Sequence, residues 1–139
     1  MKKFTLLCAI LLVVSASILS AQGTQLLREP TISDTHIVFV HAFDLWKVDR
    51  NGGDAERLTS NIGGETSPHF SPDGSMVAFT GQYDGNQDVY IVPIEGGEPE
   101  RLTWHPGADV VTGWTPDGDV LFRSSRDGHP TELNRIWRV

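Results

Sequence analysis

A chain of 139 residues with a formal net charge of −7, 39% hydrophobic and 21% charged residues has the make-up of a globular protein rather than a disordered segment. Its acidity, with the Arg and Lys residues beyond Lys2 and Lys3 scattered singly, excludes nucleic acid and anionic membrane surfaces as expected partners. The single cysteine, Cys8, excludes a disulfide framework and cysteine-based metal centres.

At the N-terminus, Lys2 and Lys3 precede an apolar run from Leu6 to Val14, which continues to small Ser20 and Ala21. This predicts a signal peptide over residues 1–21, and a periplasmic or secreted product. An uncleaved anchor is the competing reading of so long an apolar stretch, but the small residues and the polar "QGTQ" that follows favour cleavage. Leu19 is bulkier than the usual residue three back from the scissile bond, so the bond is placed only to within a residue or two. Removing Lys2 and Lys3 takes the charge from −7 to −9, and the mature chain has no thiol and no remaining membrane segment.

Residues 22–139 repeat. "RLT" at 57–59 recurs at 101–103, a step of 44 residues. The same step carries "FSPDG" (70–74) onto "WTPDG" (114–118), Gly52 and Gly53 onto Gly96 and Gly97, and "DLWKV" (44–48) onto "DVYIV" (88–92). A repeat of this length with short apolar runs and no amphipathic helical segment indicates radially arranged β-sheets.

Each unit reads as an antiparallel meander of about four strands. A first strand, near "SPHF" (67–70) or "VVTGW" (110–114), leads into the Pro-Asp-Gly turn, where Pro presets φ and Asp and Gly accept the tight return. "HIVFV" (36–40), "MVAFT" (76–80) and "VLFRS" (120–124) supply the next strand, with "SDT" a poorer turn in the first unit. These runs are apolar at consecutive positions, as in sheets covered on both faces. Trp46, Tyr90 and Trp137 fall at matching places and are assigned to packing between sheets. The expected architecture is all-β: a partial β-propeller over 22–139, with blades at about 30–59, 67–103 and 110–139, two complete and the third incomplete. Because closed propellers use about four to eight blades, the sequence reads as the beginning of a longer protein.

No catalytic constellation emerges. There is no G-x-S-x-G, and Ser71 and Ser75 flank a turn that accounts for them. His36 and His41 are five apart on an extended segment and so point to opposite faces, while His69, His105 and His129 stand singly beside Pro or Gly. The loops at 49–54 and 84–88 carry alternating oxygen ligands but match no calcium-loop pattern. Glu98 and Glu100 lie in a turn without an apolar pocket to raise a carboxyl pKa. The expectation is therefore no catalytic, cofactor-binding or metal-binding residue and no cofactor.

The units resemble the Pro-Asp-Gly class of propeller repeat found in TolB, in prolyl-oligopeptidase-like enzymes and in tricorn-type peptidases. The stretch from "FSPDG" through "FRSSRDG", with the "LLREPTIS" lead and "DLWKV" strand, is more specifically similar to the first propeller of exported bacterial tricorn protease homologues. That resemblance covers about residues 26–139. It implies a large serine peptidase with two successive propellers, a PDZ domain and catalytic domains far downstream, none of whose catalytic residues falls on a position here. It further implies a scaffold or peptide-gating role, contacts with peptides and with the remaining propeller and catalytic domains, and assembly into a homo-oligomer. The alternative is a TolB-like, non-enzymatic periplasmic propeller that binds a protein. A prolyl-oligopeptidase-type enzyme is a third possibility, to be recognised by a downstream α/β-hydrolase domain.

Overall fold

The computed structural model describes residues 26–126 and 134–139, so the expected signal segment and His129 lie outside the described residues. Within them every regular element is a strand. The first antiparallel sheet joins β1 (Arg28–Ile32), β2 (His36–His41), β3 (Asp44–Asp49) and β4 (Glu56–Arg57) in chain order. The second repeats it with β5 (Glu65–Phe70), β6 (Met76–Gly81), β7 (Asp88–Pro93) and β8 (Glu100–Arg101). The third joins β9 (Asp109–Trp114), β10 (Val120–Ser124) and β11 (Arg135–Arg138). β5 touches both β1 and β9, so the first strand of each sheet lies innermost and the sheets fan outward from it. This is the propeller fragment that the repeat indicated.

The inner strands begin at Arg28, Glu65 and Asp109, ahead of the unit boundaries drawn at 30, 67 and 110. In β1 and β5 the early residues form a separate paired segment, set off by a β-bulge: register slips between Arg28 and Thr31, and between Thr66 and His69. Both bulges hold an X-Pro pair, Glu29-Pro30 and Ser67-Pro68, and both preceding residues have positive φ, 50° and 53°. That is a strained conformation for residues bearing a Cβ.

Consecutive apolar residues in the middle strands are explained by two cores, one on each side of the second sheet. Val77 and Phe79 of β6, with Tyr90 and Val92 of β7, meet Val38, Val40, Leu45 and Leu58 from the first sheet. Their neighbours Ala78 and Val89 face the other way, against Val111, Val120 and Phe122 of the third. Each fully buried Val, Leu or Phe contributes about 1.5–3 kcal/mol, so these two interfaces dominate the cohesion of the fan. An aromatic pair recurs in each sheet, Phe39 opposite Trp46, Phe79 opposite Tyr90 and Phe122 opposite Trp137. Tyr90 belongs to the first core and Trp137 packs against the second, as expected of residues between sheets. Trp46 belongs to neither: it lies on the face of the first sheet turned away from the second, with the His41 ring edge-on to it at 5.7 Å.

The recurring sequence landmarks are staples. Arg57 Nε donates to the Thr59 carbonyl (3.0 Å) and pairs with Asp44 (3.2 Å), while the Leu45 amide donates to Thr59 Oγ1 at 2.9 Å. One step later Arg101 Nε donates to the Thr103 carbonyl (2.8 Å), Arg101 Nη2 to Asp88 (2.7 Å), and the Val89 amide to Thr103 Oγ1 (3.0 Å). "RLT" thus ties the short outer strand, too short to hold itself by ladder bonds alone, to the strand opened by the repeated Asp.

Candidate functional site

The innermost strands and the turns that follow them carry the most distinctive local chemistry. In the second unit the Ser71 amide donates to the Met76 carbonyl and Gly74 to the Ser71 carbonyl, closing the turn. The hydroxyls of Ser71 and Ser75 both donate to Asp73, at 2.6 and 2.8 Å, and with the Ser75 amide they hold that carboxyl down at about 2. Both serines are therefore committed to the turn. Ser33 plays the same part in the first unit, accepting from the His36 amide at 3.0 Å, and Thr115 in the third, accepting from Asp119 at 3.0 Å.

Between the first two of these turns and the ends of the inner strands lies an open groove of about 550 Å³. Its apolar lining is Ile32, Phe70, Pro72 and Trp114, and Arg50 stands at its edge beside Asp34 at 3.7 Å. Thr31, His69 and Gly113 occupy one register position in three successive inner strands, opposite Val38, Ala78 and Leu121. All three line the groove. Neither the Thr31 hydroxyl nor the His69 ring has a hydrogen-bond partner among the described residues, and the His69 carbonyl accepts from Trp114 Nε1 at 2.9 Å. Burial lowers the His69 pKa, against a smaller upward pull from the Glu29 carboxylate, so the imidazole is neutral at pH 7.

The other titratable candidates are dispersed. His36 Nδ1 sits 2.9 Å from the Thr35 hydroxyl, and His105 Nδ1 accepts from the Gly107 amide at 2.9 Å. In the loop at 49–54, Asp49 accepts from the Asn51 amide; in that at 84–88, Asp84 and Asp88 take the Arg101 guanidinium and Asn86 donates to the His105 carbonyl. Glu98 and Glu100 are exposed. Among the described residues no three His, Cys, Asp or Glu converge in a way that could hold a metal ion.

Sequence reasoning passed over two buried acids. Glu65, wholly buried at the start of β5, accepts from the Leu45 amide (2.9 Å), the Thr59 hydroxyl and the Tyr83 hydroxyl (2.5 Å), bridging the first sheet to the second. Burial raises its pKa despite these donors. Asp109 is wholly buried at the start of β9 and pairs with Arg126 at 2.6 Å. The 44-residue step itself relates 65 to 109 and could have found them, but the two side chains differ in type and neither falls within a repeated word.

The chain's relatives fit this architecture. The model of the tricorn protease N-terminal beta propeller domain matches residues 24–139. Tricorn protease homolog 1 of Streptomyces coelicolor is 37% identical over 68 residues, a segment that covers 49% of this chain and 6% of that protein. The crystal structure of the tricorn protease superposes with a TM-score of 0.73 at 28% identity, over 82% of this chain and 12% of that one. TolB from Acinetobacter baumannii superposes at 0.65 with 27% identity, over 81% and 29%. The chain thus spans only a small part of the length of the proteases it matches. With that family match covering all of the described fan, the chain belongs to the family of tricorn protease N-terminal β-propeller domains.

Proposed function

We propose that residues 22–139 form part of the first propeller of an exported tricorn-like serine peptidase, acting as scaffold and peptide gate in the periplasm or outside the cell. In this reading the catalytic groups belong to other domains of the parent, which assembles as a homo-oligomer, and residues 1–21 are the export signal. The observation that supports it is the fan of three sheets around adjoining inner strands, in a chain of the tricorn propeller family. The second turn's serines donate to the Asp73 carboxylate, whose lowered pKa of about 2 makes it too weak a base to activate a hydroxyl. Expressed alone, the chain is expected to hydrolyse no unstructured peptide. Turnover abolished by replacing a serine within 22–139 would sink the reading. In the parent protein, altering this propeller is expected to change turnover of long peptides while sparing a reporter of two or three residues.

The likeness to TolB favours a second reading, a non-enzymatic propeller that binds a protein partner. A parent that carries no peptidase activity yet retains a periplasmic protein through purification would decide for it.

A further inference from the structure

We infer that the groove beside His69 is a subsite for an extended peptide segment bearing an apolar side chain. His69 and Thr31 pair its main-chain amides there, while Phe70 and Trp114, on either side of the second sheet, receive its apolar side chain. The inference rests on the peptide-gating reading above and assigns it a place in the fold.

The volume of about 550 Å³ is of the size that takes a small ligand. Its lining divides the work in two. Ile32, more than half exposed, and the partly buried Phe70 and Trp114 offer apolar surface in an otherwise polar turn region. A neutral imidazole has one donor and one acceptor nitrogen, and a threonine hydroxyl both donates and accepts. A peptide N–H and C=O call for that set, which no described residue uses in the free chain. The charges at the edge, Arg50 with Asp34 and the saturated Asp73, leave no surplus of positive charge to select an acidic ligand.

The backbone supplies a second, independent argument. Bulges re-aim side chains and gather beside binding sites, and backbone strain persists only where surrounding structure imposes it. The two positive-φ residues that precede proline, Glu29 and Ser67, lie two residues before Thr31 and His69 in the strained bulges of β1 and β5. Their slip in register sets Thr31 and His69 at equivalent positions in adjoining strands. The third strand places Gly113 there, with nothing within 4 Å of where its Cβ would stand, so that side of the groove stays open.

The test is fluorescence anisotropy on the full chain with labelled Ser-Gly-Leu-Leu-Gly-Ser and its counterpart with Asp for both Leu. Saturable binding of the Leu peptide is expected, with at least about fivefold preference over the Asp peptide. His69→Ala and Thr31→Val should each weaken it by about five- to tenfold, the effect of one hydrogen bond, and Trp114→Ala by at least as much. His69→Gln, which keeps a donor and an acceptor, should restore most of the affinity, and Ile62→Ser in the exposed loop between β4 and β5 should change nothing. Circular dichroism of each variant separates loss of the site from loss of the fold. Absence of saturable binding, indifference to both His69→Ala and Thr31→Val in folded protein, or equal weakening by Ile62→Ser overturns the subsite. If the groove variants abolish binding but leave the parent's turnover of long peptides unchanged, the gating reading fails and the subsite stands.

Discussion

Glu65 and Asp109 show how one methylene decides whether a repeated position works. Both are wholly buried at the start of an inner strand, 44 residues apart, facing the preceding sheet. Glu65 reaches the Leu45 amide and the Thr59 hydroxyl. At the next junction the equivalent donors, the Val89 amide and the Thr103 hydroxyl, bond to each other and weakly to Asp88, and Asp109 Oδ1 is left without a partner. An unsatisfied buried oxygen costs about 1–3 kcal/mol. Asp109→Glu is therefore expected to raise unfolding free energy by about 1 kcal/mol in urea titrations, provided the flexible Arg126 follows the longer carboxylate. Glu65 makes a prediction of opposite character. Its folded pKa lies above the unfolded value because burial disfavours the anion, so its contribution is complete below pH 4.5 and declines as pH rises through the folded pKa. Glu65→Gln should thus be more harmful near pH 4 than at pH 7.5, measured as the difference in urea midpoint from the parent chain at each pH. A penalty that grows with pH would reverse the assignment.

At the scale of strands and turns, legibility follows local chemistry. Pro, Asp and Gly at 72–74 and 116–118 advertise their turns because each removes a specific conformational cost, and the structure places tight turns there. The repeat spacing also carried the sheet order. What the words concealed was that the step is uneven: it is 44 between Phe70 and Trp114 but 43 between their partners Val77 and Val120, because the third turn is one residue shorter. The hairpin between β2 and β3 was less visible still. Ala42 and Phe43 both have positive φ, 51° and 71°, the geometry of a tight hairpin turn that normally calls for Asn and Gly. Nothing in "HAFD" announces it, and the conformation is imposed by the six-pair register from His36–Asp49 to His41–Asp44. The bulges before Thr31 and His69 were hidden for the same reason, since X-Pro ordinarily reads as extended chain. His69 could be seen only as a solitary histidine, because Thr31 and Trp114, which line the groove with it, come from other sheets. Ala42→Asn should relieve part of the turn strain and stabilise the chain by about 1 kcal/mol, read as a rise in thermal midpoint. No rise would mean that the turn relaxes in solution to a conformation Ala accepts.

Across the whole fan, identical register does not give identical energetics. Trp46 and Tyr90 are equivalent, each opposite a phenylalanine on one side and an arginine on the other. Tyr90 is 4% exposed and stacks on Phe79 within the core shared by the first two sheets. Trp46 faces away from that core, and its indole nitrogen is buried without a partner among the described residues. Replacing an enclosed aromatic with alanine leaves a cavity and costs about 3–5 kcal/mol, whereas one that is packed on one side only can collapse the space. Tyr90→Ala is accordingly expected to cost about 3 kcal/mol or more, and Trp46→Ala about 1 kcal/mol, in urea unfolding of the chain. The comparison reports on geometry because the larger side chain is given the smaller penalty, opposite to what area alone would order. Equal losses would mean that the far face of the first sheet is covered in solution. A concentration-dependent Trp46→Ala penalty would then identify the cover as a second copy of the chain.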